Sequence, residues 1–189
     1  MATKKVVGKQ KKKKWFQIYA SGEFKNGLIG ETLSSDGNDL IGRGVKINLM
    51  NVTGNPKNQS INVGFKINEV KDEGAYTELI SYSLSSAHVR RMVRPAKSKI
   101  DDSFTCATKD NINVRIKSLF LTKKIVKSSI LASLRHKNRE LITKFINEND
   151  YPSVIGSLVD GKIQKDVRES LNKIYPLALY QVRSFERIK

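Results

Sequence analysis

The pattern that most restricts how this chain can fold is the alternation of apolar and polar residues between positions 45 and 82. Val45, Ile47 and Leu49 point one way while Lys46 and Asn48 point the other. Ile61, Val63, Phe65 and Ile67 repeat the period of two, with Asn62, Gly64 and Lys66 between them. Successive side chains of an extended strand face opposite sides, so these segments predict strands with one face in a core. Asn51 to Asn58 reads as a polar loop containing Gly54 and Pro56. Lys71-Asp72-Glu73-Gly74 reads as a hairpin loop, with Ala75 to Tyr82 as the next strand. The region is a β-meander with an inward and an outward face.

The flanks add a strand, a hairpin and several helices. Trp15 to Ala20 is aromatic and bounded by Ser21-Gly22, which predicts a short strand. Gly22 to Gly44 reads as loop-rich, with one helical turn over Asp36 to Ile41. Ser85 is a candidate N-cap for a helix whose apolar stripe is Val89, Met92 and Val93, and Pro95 ends it. Phe104 to Thr108 and Ile112 to Leu121 form a hairpin around Lys109-Asp110-Asn111. Val114, Ile116 and Phe120 share one face there, and Arg115, Lys117 and Leu119 the other. From the candidate N-cap Ser128, Leu131, Leu134, Leu141, Ile142, Phe145 and Ile146 give a broad helical face. A short helix over Val154 to Val159 and an amphipathic one through Ile163, Val167, Leu171 and Ile174 follow. Tyr180 to Ile188 alternates weakly and reads as an edge strand. The expected class is α+β: a central antiparallel, barrel-like sheet with packed helices.

Charge separates the chain into parts. Its 189 residues carry a formal charge of +17. Residues 1–14 hold seven lysines and no acid, for +7; residues 15–127 contribute +6 and residues 128–189 +4. The expectation is a basic tail over 1–14 and a single domain over 15–189. The tail is expected to be disordered alone and to order on a polyanion, whose phosphates release counterions as lysines neutralise them. Trp15 and Phe16 read as the pair that anchors the tail to the core, with stacking on bases as the alternative. No apolar run is long enough for a membrane helix or a signal-peptide core, and a lone Cys106 excludes an internal disulfide. The chain reads as soluble, intracellular and drawn to nucleic acid, with no membrane role.

The residues give catalysis little support. His88 and His136 sit among cations without chelating partners, and Asp101 and Asp102 point to opposite faces of an extended segment. Cys106 reads as a small buried hydrophobe. No GxxxxGK loop exists. No cofactor or metal is expected. The informative residues are cationic: Lys4, Lys5, Lys9, Lys11, Lys12, Lys13 and Lys14 in the tail; Arg90, Arg91, Arg94, Lys97 and Lys99 along a helix and its exit; Arg115, Lys117, Lys123, Lys124 and Lys127 along a strand and its exit; and Arg135, Lys137 and Arg139 on the long helix. Each cluster alone reads as a solvated face, but together, with few acids interleaved, they point to an extended phosphate-binding surface.

A series of short motifs carries a more specific signal. Trp15-Phe16-Gln17-Ile18-Tyr19-Ala20, Ile29-Gly30-Glu31-Thr32-Leu33 and Leu40-Ile41-Gly42-Arg43 open it. Val89-Arg90-Arg91-Met92-Val93-Arg94, Ser98-Lys99-Ile100-Asp101 and Val114-Arg115-Ile116-Lys117 continue it, and Lys173-Ile174-Tyr175-Pro176-Leu177 closes it. In order and spacing the series resembles the eS-one (S-three-a) family of archaeal and eukaryotic small-subunit ribosomal proteins, from about Lys11 to Arg187. The chain has Lys109-Asp110-Asn111 where that family usually has Asp-Gly, and lysines over 122–127 where it often has arginines. The resemblance implies a barrel-like sheet and no catalytic activity. It also implies a cytoplasmic place on the small-subunit platform near the messenger exit. The implied partners are small-subunit rRNA, neighbouring ribosomal proteins and mRNA near the exit channel, with no homo-oligomer. The alternative from charge alone is a free-standing RNA- or DNA-binding regulator or chaperone.

Overall fold

Alternation along the chain becomes a sheet in the computed structural model, which describes residues 12–21, 24, 27–72 and 74–188. The elements in order are β1 (Lys14–Tyr19), β2 (Leu28–Ser34), β3 (Gly44–Asn48), α1 (Leu49–Thr53), β4 (Ile61–Lys71), β5 (Gly74–Leu84), α2 (Ser86–Met92), β6 (Lys99–Ala107), β7 (Asn113–Thr122), α3 (Ser128–Glu148), α4 (Tyr151–Asp160), α5 (Lys162–Asn172) and β8 (Leu177–Arg187). Strand order is β2-β1-β5-β8-β7-β6, with β3 on β4 and β4 on β5. The α+β class is as expected. The sheet is mixed rather than wholly antiparallel, because β1 runs parallel to β5 through Gln17↔Gly74, Ile18↔Ala75 and Tyr19↔Tyr76, and it is not closed. The chain divides into two compact units, residues 1–45 with 65–79 and residues 46–64 with 80–189.

The first unit packs Phe16, Ile18, Leu40, Ile67 and Ala75 against Ile29, Val45 and Val70. Here β2 occupies part of the stretch that reads as loop-rich. It pairs antiparallel with β1 from Lys14↔Ser34 to Tyr19↔Leu28, with a bulge at Ile18/Tyr19. Glycine and polar residues hide such a strand from composition, because the partner strand supplies the hydrogen bonds that hold it. Phe16 and Trp15 part company: Phe16 is buried, but Trp15 is 62% exposed. Alternation puts neighbours on opposite faces, so only Phe16 anchors the strand.

In the second unit β8 lies between β5 and β7. Tyr82 pairs with Phe185 on one side, while Ile116 pairs with Phe185 and Phe120 with Tyr180 on the other. It is therefore an interior strand, not the edge strand its weak alternation implied. Register shifts at Lys117/Ser118 and Leu121/Thr122 break the period of two, as bulges do. Leu49 also departs from the alternation. It opens α1, because the Asn48 side chain accepts from the Met50 N–H at 2.9 Å and caps the turn. Ser85 caps α2 as expected, accepting from the His88 N–H. Ser128 is the first residue of α3 and Lys127 takes the cap position, with no side-chain cap bond. Ile163, Val167 and Leu171 are buried along α5, each contributing about 1.5–3 kcal/mol.

A polar seam fixes α3 on this sheet. The Arg139 guanidinium donates to both Asp102 carboxylate oxygens, with Nη2 at 2.6 Å from Oδ1 and Nε at 2.9 Å from Oδ2. Asp102 sits opposite Ser118 in the β6–β7 register. Asn138, fully buried, donates to Ser118 Oγ at 2.9 Å and accepts from the Tyr180 hydroxyl at 2.8 Å. Burial raises the Tyr180 pKa far above the phenolic range, so the hydroxyl keeps the proton it donates. The Phe120 ring stacks on Tyr180, with centroids 5.7 Å apart.

Removing one partner of a buried pair strands a charge, whereas removing both strands none. Arg139→Gln is therefore expected to lower folding stability by about 3 kcal/mol, and Asp102→Leu combined with Arg139→Leu by clearly less. Urea denaturation of the three proteins checks this. A double variant at least as unstable as Arg139→Gln would contradict it.

Candidate nucleic-acid interface

Strand register sets out the first part of the surface. On β7, Arg115 lies opposite Thr105 of β6 and Glu186 of β8, and Lys117 lies opposite Ser103 and Ser184. The shift from Lys117↔Ser184 to Ser118↔Val182 leaves Arg183 as the extra residue of a bulge, exposed beside this row. One acid interrupts the row: Glu186 accepts from Ser184 Oγ at 2.7 Å.

Two loops that are distant in sequence are tied together at the end of β7. The buried Thr122 donates its backbone N–H to the Ser98 carbonyl at 3.1 Å. Its hydroxyl accepts from the Ser98 N–H at 3.0 Å and donates to the Lys124 carbonyl at 2.6 Å. Ser98 Oγ in turn accepts from the Val126 N–H at 3.1 Å, and Lys123 N–H donates to the Pro176 carbonyl at 3.2 Å. This clasp brings Lys97 and Lys99 alongside Lys123, Lys124 and Lys127. Two clusters that are separate in sequence thus become one. Ala96, in the same loop, holds φ 65, a left-handed conformation costing a non-glycine residue of order 1 kcal/mol. The clasp bonds are what hold the loop there. Neither Ser98 nor Thr122 carries a sequence signal for this role; only their juxtaposition does.

Acids modify several members of the expected set. Lys99 opens β6 rather than lying in a loop, and it pairs with Asp101. Lys137 contacts Glu140 at 3.0 Å and draws that carboxyl below the usual range, first by hydrogen bonding and then by charge. Arg139 is committed to Asp102; the carboxylate's hydrogen bonds, then its charge, raise the guanidinium above its ordinary value. Arg90 and Arg91 are exposed on the last turn of α2, Arg94 is exposed just beyond it, and Arg135 is exposed on α3. Among the described residues none of these four has an acid within ion-pair distance. Lys12, Lys13 and Lys14 are exposed ahead of and at the start of β1. Lys4, Lys5, Lys9 and Lys11 lie outside the described residues.

The arrangement has little to offer chemistry. Burial pushes the half-buried Cys106 thiol up to about 11, so it is protonated at neutral pH and a poor nucleophile. His88 Nδ1 lies 3.1 Å from Ser60 Oγ, which ties α2 to the end of the turn over Pro56–Ser60. Among the described residues no group of three His, Cys, Asp or Glu side chains is placed to hold a metal, and no helix is long and apolar enough to cross a membrane. What the surface offers is cations on a rigid support, which suits neutralisation of phosphates.

Comparison with known proteins meets this surface from another direction. The model of the ribosomal S3Ae family matches residues 1–189. The small ribosomal subunit protein eS1 of Methanobrevibacter smithii is 31% identical over 181 residues, covering 96% of this chain and 94% of the relative. Its namesake in Methanosphaerula palustris is 29% identical over 186 residues, with the same coverage of each. In Haloarcula marismortui the corresponding protein is 26% identical over 183 residues, covering 97% of this chain and 86% of the relative. A family model spanning every residue, on a chain with this basic sheet and loop surface, leaves one conclusion: the chain belongs to the ribosomal S3Ae family.

Proposed function

We propose that the chain is a structural, non-enzymatic constituent of the small ribosomal subunit that binds small-subunit rRNA in the cytoplasm and so serves translation. The observation that carries the reading is the whole-chain family match, with relatives named as small ribosomal subunit proteins. The finer reading places it on the platform near the messenger exit, against rRNA, neighbouring ribosomal proteins and mRNA, with the basic tail over 1–14 as an appendage of the folded part. The charge distribution supports this. Structured RNA is read largely through shape and backbone, and the clasp loops, the β7 row and the α2 arginines present cations rather than base-reading pockets. Lysine contributes point charge, while Arg90, Arg91, Arg94 and Arg115 offer bidentate contacts to phosphate.

Sedimentation of a native lysate tests the assignment. The protein is expected in the small-subunit fraction and is expected to stay there as salt is raised moderately. Absence from that fraction at every salt level would sink the proposal, and a stable pool on defined RNAs or DNA outside ribosomes would favour the free-standing regulator.

Two further outcomes follow for binding to a small-subunit rRNA fragment. Removing residues 1–13 deletes six lysines but spares Lys14, which opens β1. The slope of log affinity against log salt is expected to flatten by about 4–5, with the thermal melt unchanged. An unchanged slope would contradict this. Thr122→Val keeps every charge and the backbone bond to Ser98 but removes the hydroxyl's bonds to the Ser98 N–H and the Lys124 carbonyl. It is expected to weaken rRNA binding several-fold and to cost about 1–3 kcal/mol of stability. Full affinity in a folded Thr122→Val protein would show that the clasp does not organise the lysines.

A further inference from the structure

The first unit carries a surface of a different kind. On one face of β1, the exposed Trp15 and Gln17 and the half-buried Tyr19 alternate with the buried Phe16 and Ile18. Register places Leu33 and Glu31 of β2 beside Trp15 and Gln17, and Gly74 and Tyr76 of β5 beside Gln17 and Tyr19. The Tyr19 and Tyr76 rings stack with centroids 5.6 Å apart and an angle of 24° between planes. Gly74 makes room for them: a Cβ there would stand 3.2 Å from Tyr19 Cε2. The Tyr19 hydroxyl donates to Gln17 Oε1 at 2.6 Å, which leaves the Gln17 amide N–H groups facing outward from that bond. Trp15 is 62% exposed and Tyr76 41%. Strand rise separates Trp15 from Tyr19 by about 13 Å, so the two aromatic positions are distinct. Trp15, Gln17, Tyr19, Glu31, Gly74 and Tyr76, with Lys71 and Asp72, line an open groove of about 450 Å³.

A face of this size and aromaticity needs an explanation in a chain so highly charged, since Trp and Tyr left in water forgo the burial that stabilises folding. The groove itself is not cationic. Glu31 and Asp72 line it, and Lys71 is paired with Glu69 at 2.8 Å while its ammonium lies 5.9 Å from the Tyr76 ring. Such a floor repels phosphate but suits nucleobases. Their faces stack on aromatic rings, and their amino groups donate to carboxylates. The cations that a nucleic-acid backbone needs stand next door, in Lys12, Lys13 and Lys14, exposed and leading directly into Trp15. Phosphate-binding lysines beside a stacking face with an acceptor-lined floor are complementary to unpaired RNA, whose bases are free to turn outward.

We infer that the Trp15–Tyr19–Tyr76 face of the first unit binds unpaired RNA by stacking its bases, with Gln17 and Glu31 contacting base edges. This rests on the RNA-binding reading above but differs from it in kind. The second unit's cations contact phosphates of structured RNA, whereas this face selects for single-stranded segments.

Trp15 is the only tryptophan in the chain, so its fluorescence reports on this face alone. The full chain is titrated with three probes: a short unpaired oligoribonucleotide of mixed sequence, a blunt-ended, fully paired RNA duplex with the same number of phosphates, and inorganic polyphosphate. The unpaired RNA is expected to quench Trp15 emission strongly, and the duplex and polyphosphate, bound through lysines, to leave it nearly unchanged. Trp15→Ala and Tyr76→Ala are each expected to weaken binding of the unpaired RNA about tenfold while leaving duplex affinity unchanged. The exposure of both side chains keeps the variants folded, which a thermal melt verifies. Equal quenching by all three probes, equal losses on both RNAs, or quenching that appears only on adding another small-subunit protein would each overturn the inference. Failure of all three probes to bind would instead defeat the broader RNA-binding reading.

Discussion

The contact between Arg139 and Asp102 is the interaction on which the geometry of the second unit depends. Asp102 is almost fully enclosed, with its side chain 2% exposed, while Arg139 reaches it from the surface with its own 54% exposed. A carboxylate so enclosed is tolerable only with its hydrogen bonds satisfied, and the guanidinium fork satisfies both oxygens at once. One residue earlier in α3, Asn138 does the same for Ser118 and Tyr180. Apolar packing alone would let α3 slide by a turn at little cost. The seam does not, because every displaced partner would leave a buried polar group unpaired.

With the helix held in register, β6, β7 and β8 present their other face with Arg115 and Lys117 in a fixed row. The Ser98–Thr122 clasp then extends the cationic surface into the loops. Loops rich in lysine repel themselves and normally splay. Here backbone and hydroxyl groups, rather than opposite charges, oppose that repulsion. The lysines keep their charge for a ligand while the chain beneath them is constrained. Preorganised cations of this kind lose less entropy on binding than a tail does.

The two units divide their chemistry. In the second, acids quench part of the cationic set, at Lys99, Lys137 and Arg139, and leave the α2 arginines, Arg135, Lys123, Lys124 and Lys127 exposed. In the first, the aromatic face of β1 and β5 lies beside acids and behind a run of lysines. Phosphate neutralisation is indifferent to sequence and strand state, whereas stacking requires bases that are not already stacked on each other. A protein with both kinds of surface would distinguish paired from unpaired regions of one RNA by strand state.

Much of this was legible along the chain. The period of two located β3, β4, β5 and β7, because alternation is a local consequence of strand geometry. Ser85 announced α2, and the opposite orientation of Asp101 and Asp102 followed from their being neighbours in a strand. The motif series identified the family. Four matters were settled only in three dimensions. β2 (Leu28, Ile29 and Leu33 among Gly30, Glu31, Thr32 and Ser34) lacks a regular apolar alternation and exists because β1 pairs with it. β8 looks like an edge strand because bulges break its period, yet it lies between β5 and β7. Phe16 anchors while Trp15 does not, a choice that depends on which side of β1 the core lies. And whether Arg139 or Arg135 remains available to a ligand turns on a buried acid 37 positions upstream of one of them. The sequence by itself determined composition, charge and local periodicity. Tertiary structure decided which cations are spent inside the protein and which aromatics stay outside it, because those outcomes depend on partners brought together only when distant segments meet.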